Sequence, residues 1–356
     1  MLTTRQKLFR NYWYATVKIE DLQEGPKPFT LMGEKIVIFL DEAGEPAALM
    51  DRCCHRTARL SKGTCDKGLL VCGYHGWAYD RSGALARIPQ FSPDQVVPRL
   101  AVRAYHCTER YGYAWVCLGE PMGAIPEVPE DSMPGFRRIQ QFHDIWKTSP
   151  LRLMENSFDN AHFAFVHKGT FGQSDQPIPE KYDLKETDYG FEAETIITIA
   201  NPPMAHRISG TDEPTTKRHM RNKWFMPFCR RLDITYPSGL RHIIFNCATP
   251  VDDGTIKLAQ ILYRNDTEAD CSTEELIAWD AAIIEEDRDI LESTDPDSTI
   301  DMNRKVESHM PSDRPGMIMR RRLLELLRSH GEEEISEAQP NIAVPLAPQL
   351  IPADTV

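Results

Sequence analysis

An α+β fold in two parts is what the sequence predicts. Three observations carry it: short β-type segments with turn punctuation fill residues 12–118, a stretch rich in proline, glycine and acid follows, and strand-like and helical patterns share residues 124–330. A chain of 356 residues can bury a large core and divide in two. The expected division is 1–123, 124–330 and a tail over 331–356.

In chain order, WYATVKI, FTLMGEKIVIFL, PAALMD and YAWVCLG are apolar and β-branched or aromatic, with turns at Gly33–Glu34 and Asp41–Pro46. They predict an antiparallel β module. His106, Cys107 and Cys117 lie in it without ligand spacing and are assigned to structure. GEPMGAIPEVPEDSMPG, residues 119–135, marks a boundary or an ordered crossover. Leu153–Val166, free of proline and glycine, predicts a buried helix.

FEAETIITIANPPM, KWFMPF and LRHIIFNCATPV then read as strands. Lys217, Arg218, Arg221, Arg230 and Arg231 lie among them as a solvated strand face, or as partners for a carboxylated or sulfonated substrate. STEELIAWDAAIIEEDRDILEST opens with a capping box, Ser272 with Glu275, and predicts a helix. Its apolar stripe comprises Leu276, Trp279, Ile283, Ile284, Ile290 and Leu291, with Asp287 at its centre and Asp280 nearer its start. Glu285, Arg288, Asp289 and Glu292 point outward. Past His330 an acidic, proline-bearing segment reads as an extended arm.

A net charge of −12 and a pI near 5.4 argue against nucleic acid as a partner. No run approaches the roughly 18 apolar residues that cross a bilayer, and the N-terminus lacks the apolar core of a signal peptide. Nine cysteines, an odd count, fit a reducing cytoplasm without disulfides.

The chemistry concentrates in CCHRTARLSKGTCDKGLLVCGYHGW, residues 53–77. Two short pairs, Cys53 with His55 and Cys72 with His75, present two thiolates and two imidazoles from neighbouring loops. A zinc knuckle would usually space each pair by two or more residues and place its histidines after its cysteines. One thiolate and one imidazole per loop suits a [2Fe–2S] cluster, Cys53 and Cys72 on one iron and His55 and His75 on the other. Neutral imidazoles raise the potential to roughly −150 to +300 mV, which makes a one-electron relay.

C-x-H-R, then Leu60, Ser61 and Gly63, then C-x-x-H-G-W with Gly76 and Trp77, resembles the Rieske domain of non-haem iron oxygenases. The chain departs from that family at Cys54 and Gly73, where proline is common, and Cys65 is an additional thiol. A second motif lies about 90 residues on: Asn156, Asp159, His162 and His167. Asp159 and His162, three apart, would share a helical face, so the carboxylate can accept the ring N–H. His162 and His167, five apart, fall about 140° apart on an ideal helix. Both can face one ion only if the helix ends or widens between them; otherwise one is a core histidine and the other exposed.

N-x-x-D-x-x-H-x-x-x-x-H is similar to the catalytic motif of the single-subunit Rieske oxygenases, the branch that includes vanillate and dicamba demethylases. The resemblance implies iron on His162 and His167, a bridging Asp159 and a neighbouring Asn156. A two-histidine, one-carboxylate site needs a third ligand. The core-facing Asp287 and the resemblance of E-D-R-x-I-L-E select the same residue, with Asp280 as the fallback and a buried salt bridge as the plain alternative.

The resemblance further implies a helix-grip (START-like) catalytic domain with a curved sheet and long helices. It implies mononuclear Fe(II), O2 as co-substrate, and a homotrimer in which Asp159 links the partner subunit's His75 to His162. Electrons would come from NAD(P)H through a separate reductase, with or without a ferredoxin, since no dinucleotide fingerprint follows a strand. The reaction implied is hydroxylation, or O- or N-demethylation, of a small aromatic or cyclic compound. The alternatives are a cis-dihydroxylating dioxygenase, an electron carrier or binding protein without a working mononuclear iron, and a zinc-binding regulator.

Overall fold

The computed structural model describes residues 1–92 and 94–340. Ten strands build the first part: β1 (Tyr14–Lys18), β2 (Lys27–Leu31), β3 (Glu34–Leu40), β4 (Pro46–Met50), β5 (Thr64–Asp66), β6 (Leu69–Val71), β7 (Ala78–Tyr79), β8 (Leu85–Arg87), β9 (Ala104–Arg110) and β10 (Tyr113–Cys117). They form a six-stranded sheet, β1-β10-β9-β4-β3-β2, and a four-stranded one, β5-β6-β7-β8, with antiparallel pairing throughout. Met32 and Gly33, both at positive φ (49° and 76°), close the two-residue β2–β3 hairpin, the backbone that matches strand twist.

The second part is one seven-stranded antiparallel sheet in the order β11-β17-β16-β15-β14-β13-β12. Its strands are β11 (Arg137–Trp146), β12 (Asp183–Thr187), β13 (Gly190–Ala200), β14 (Thr215–Phe225), β15 (Cys229–Thr235), β16 (Arg241–Asp252) and β17 (Thr255–Arg264). The helices are α1 (Pro150–Asn156), α2 (Phe163–Val166), α3 (His206–Ser209), α4 (Thr273–Leu291) and α5 (Arg314–Ser329). Strands β15–β17 of the large sheet are buried on both faces, which explains why β16 reads as a nearly continuous apolar run. Alternation sends Ile243, Phe245 and Cys247 into a core shared with Tyr14 and Trp115 of the first part. His242, Ile244 and Asn246 line a pocket on the other face, which α4 covers.

The stretch over 119–135 is an ordered crossover. Glu130, buried within it, accepts from Arg231 (2.7 Å) and Arg241 (3.0 Å) on the large sheet, and Asp233 takes Arg241 as well (2.5 Å). Val128 N–H donates to the Tyr111 hydroxyl, which donates on to the Pro126 carbonyl. A buried carboxylate shared by two guanidiniums offsets its own desolvation and fixes the junction.

Two expectations about helices are corrected. Leu153–Val166 is not one helix: α1 ends at Asn156 and α2 begins at Phe163. Asp159 Oδ1 accepts from Ala161 N–H (2.7 Å), a local turn that competes with helical bonding and breaks the helix without proline or glycine. On α4 the capping box forms as expected, but Ile290 is exposed. Arg288, expected in solvent, lies over the Trp146 ring and donates to the Ile145 carbonyl.

Residues 331–340 run along the surface beside the N-terminus, where Leu2 N–H donates to Ile335 O and Glu334 accepts from Ile300 and Asp301. The rest of the expected tail lies outside the described residues. Among the described residues no helix is long and apolar enough to cross a membrane.

α5 holds α1 in place through Arg320, only 3% exposed, which donates to Glu155, to Glu307 (2.6 Å) and to Thr299 O (2.8 Å). Removing one partner of a buried ionic network strands the others. Arg320→Met is therefore expected to cost about 3–5 kcal/mol in denaturant unfolding; a loss below about 1 kcal/mol, the range of an exposed ion pair, would contradict this role.

Candidate iron centres

Cys53 and Cys72 head two loops of the same shape. In each, the cysteine N–H donates five residues on, to Ala58 O and Trp77 O (both 2.8 Å), and its carbonyl accepts from Thr57 and Gly76 (both 3.0 Å). Thr57 and Gly76 take positive φ at equivalent positions. A Cβ at Gly76 would sit 2.9 Å from Pro89, and one at Gly63 would lie 1.8 Å from the Val71 carbonyl, so both glycines of the motif are required by close approach.

Both cysteines are buried. The His55 ring stacks on Trp77 (4.4 Å, 4°) and meets His75 edge-on at 4.6 Å. His55 Nδ1 is buried without a hydrogen-bond partner, and burial pushes the Cys72 thiol up, so thiolate there calls for a cation. The Tyr79 hydroxyl lies 3.0 Å from Cys53 Sγ. The donor set fits the cluster.

The break after α1 solves the five-residue spacing. His162 caps α2 and His167 follows its last residue, so the two rings turn toward each other with Nε2 atoms 3.1 Å apart. Asp287 Oδ1 lies 3.4 Å from one and 3.3 Å from the other, and Asn156 Nδ2 donates to it at 3.2 Å. Asp159 and His162 do meet (3.1 Å), through a turn rather than a shared helical face. Asp280, the fallback, is two helical turns away and holds His242 (3.0 Å) and Gln141 (2.6 Å) instead.

Each imidazole is oriented from behind. His162 Nδ1 faces Asp159 and His167 Nδ1 faces Glu286 (3.0 Å), which also accepts from Thr170 (2.8 Å). With Nδ1–H bound to carboxylate, both Nε2 lone pairs point inward, where only a cation or proton relieves their repulsion. Burial opposes charge on His162, yet Asp159 and Asp287 outweigh it and hold its pKa up to about 9. Burial likewise raises Asp287, but the two imidazoles pull it well below the usual carboxylate range. The site attracts positive charge, as a metal site must.

Glu286 escaped notice in the sequence because it sits in the acidic run EEDRD. Of the two readings open for Arg218 and Arg230, the inward one holds: both line the pocket, beside Phe163, Phe171, Trp279 and Ile283. Burial pulls Arg230 down to about 10 against the pull of Tyr182 and Asp287, and it pushes His242 below its ordinary value although Asp280 opposes this.

A β module built to hold two irons, joined to a pocket with two imidazoles and a carboxylate on one side, defines a redox enzyme with a relay centre and a separate reactive metal. Residues 12–106 match the Rieske [2Fe-2S] domain and residues 146–329 the vanillate O-demethylase oxygenase C-terminal domain. The chain is 30% identical over 345 residues to methylxanthine N1-demethylase NdmA of Pseudomonas putida, covering 93% of each. It is 28% identical to methylxanthine N3-demethylase NdmB of the same organism, covering 81% of this chain and 82% of that one. The structure of NdmA with caffeine matches with a TM-score of 0.77 at 27% identity, over 92% of this chain and 94% of that chain. Dicamba monooxygenase bound to dicamba shares the fold, with a TM-score of 0.76 at 21% identity over 91% and 98%. The chain belongs to the Rieske non-haem iron oxygenases, oxidoreductases that incorporate oxygen, and its cofactors are a Rieske [2Fe–2S] cluster and a mononuclear iron.

Glu286→Gln is expected to weaken ferrous-iron retention roughly ten- to hundredfold by loosening the His167 ring, with cluster absorption unchanged. Titration with a competing chelator reads this out; unaltered affinity would remove Glu286 from the site.

Proposed function

We propose that this chain is the terminal oxygenase of a Rieske monooxygenase system that hydroxylates, or O- or N-demethylates, a small aromatic or cyclic compound. The observation that carries the reading is the convergence of His162, His167 and Asp287, ligand atoms within 4.8 Å of one another, at the edge of a largely apolar pocket. These three hold Fe(II), with Asn156 beside it; Cys53 and Cys72 hold one iron of the cluster and His55 and His75 the other. When bound, the mononuclear iron supplies dioxygen activation.

The residues around it have separate tasks. Trp146, Phe163, Phe171, Ile283 and Ile284 exclude water and accept a flat ring. Asp159 fixes His162 and, exposed enough to reach outward, accepts from the partner subunit's His75 in a head-to-tail homotrimer. Hydroxylation of a methyl on nitrogen or oxygen leaves a product that collapses with release of formaldehyde; NdmA and NdmB are N-demethylases by name. Electrons reach the cluster from NAD(P)H through a separate reductase, with or without a ferredoxin, in the cytoplasm. The division at 123/124 separates the relay from the catalytic domain.

Iron analysis of the loaded protein is expected to give about three irons per chain, falling to about two in His162→Ala with the red-brown cluster absorption kept and product lost. Cys72→Ala is expected to abolish that absorption. Asp159→Asn should keep both metals while slowing turnover roughly ten- to hundredfold; loss of the mononuclear iron instead would count against the bridging role. Reductase-coupled oxygen uptake over N- and O-methylated aromatics, caffeine among them, decides the reaction by product mass. Loss of a CH2 unit means demethylation, a gain of one oxygen means hydroxylation, and a gain of two oxygens and two hydrogens would replace this reading with dihydroxylation.

A further inference from the structure

Four arginines of the described residues are buried: Arg218, Arg231, Arg264 and Arg320. Three have carboxylate partners: Glu130 for Arg231, Asp266 for Arg264, Glu155 and Glu307 for Arg320. Arg218 has none among the described residues. It is 6% exposed, its Nε is buried without a hydrogen-bond partner, and its guanidinium rests on the Phe171 ring (4.6 Å) and near Tyr236 (5.8 Å). Burying an arginine without an anion is costly, and cation–π contact recovers only part of that.

The pocket has no carboxylate to spare. Asp287 faces the two imidazoles, and Asp280 is committed to His242 and Gln141. The other guanidinium in the pocket, Arg230, uses Nε on the neutral Asn222 (2.9 Å). Ferrous iron on Asp287 would add net positive charge. The surplus lies where a substrate must bind: Phe171, under Arg218, stacks on the His167 ring (4.6 Å, 29°), so the guanidinium is one aromatic ring removed from an imidazole of the iron site.

We propose that Arg218 is the anion-binding residue of the active-site pocket, and that the substrate is an aromatic or cyclic carboxylate or sulfonate whose charged group pairs with it. This rests on the oxygenase reading above and narrows its substrate class. The fork of donors matches a carboxylate in two parallel bonds, and Phe171 and Tyr236 keep water from competing. A ring anchored there by its anion presents its far edge to His162 and His167.

The probes are benzoate against benzamide and benzenesulfonate against benzenesulfonamide, bound to the doubly iron-loaded enzyme without oxygen or reductant and followed by calorimetry. At least one anion is expected to bind roughly ten- to hundredfold more tightly than its neutral amide. Which pair shows the preference tells carboxylate from sulfonate. Arg218→Gln should bring that ratio to about one while leaving amide affinity within about twofold, and Arg218→Lys should retain part of it. Intact cluster absorption in each variant verifies folding.

A wild-type ratio near one, a ratio insensitive to Arg218→Gln, or no measurable binding of either anion overturns the proposal, and the wild-type ratio needs no variant. Because binding is read without turnover, the two readings fail separately. Anion preference without any oxygenated product would sink the proposed reaction alone; turnover of neutral methylated rings without anion preference would sink the Arg218 site alone.

Discussion

Two imidazole nitrogens held 3.1 Å apart by segments on either side of a four-residue helix are the constraint around which the catalytic domain is arranged. Left to themselves, two such lone pairs separate. Here Asp159 and Glu286 pin the far side of each ring, Thr170 pins Glu286, and Asp287 closes the third side. The supports come from three places: Asp159 from the turn after α1, Thr170 from just past the 3-10 turn at His167–Gly169, and Glu286 and Asp287 from α4. The site therefore exists only when α1, α2 and α4 are docked, and the buried Arg320 network that fixes α1 against α5 is part of its foundation.

The large sheet explains why so much polarity can be gathered in one place. Over β16 its outer face is covered by the first part, through Trp115 against Phe245 (6.1 Å) and Thr249 donating to Ala15 O (2.6 Å), leaving the inner face free to be a pocket wall. On that wall alternation alone decides what enters: Arg218 and Met220 from β14, Arg230, Leu232 and Ile234 from β15, His242, Ile244 and Asn246 from β16. A one-residue slip of β14 against β15 would exchange Arg218 for Lys217 or His219 and send the guanidinium out to solvent. Register is thus a functional variable in this half of the molecule.

What the sequence revealed follows from the range of the signals. The cluster loops were legible because each cysteine, its neighbouring histidine and the hydrogen bonds that close the loop lie within five residues of one another. The helix α4 was legible because its capping box and stripe are local, and its central Asp287 proved to be the carboxylate that meets the imidazoles. The break between α1 and α2 was hidden: absence of proline and glycine suggested continuity, whereas Asp159 broke the helix by accepting from the backbone two residues on. Glu130 and Glu286 were hidden for the opposite reason, since their partners lie more than 100 residues away.

Arg218 was legible only as one of two alternatives, solvated or facing a substrate. TTKRHMRNKW reads as a basic segment, yet its alternate residues Thr216, Arg218, Met220, Asn222 and Trp224 form one buried face. Counted by strand period, the arginine shares a side with methionine and tryptophan, while Lys217, His219, Arg221 and Lys223 take the other. Net basicity described the outer face and masked the inner one. An overall acidic chain that nonetheless buries an arginine against its iron site has concentrated positive charge where surface charge cannot screen it. Inside a low-dielectric pocket that charge selects among ligands far more sharply than the same residue would on the surface.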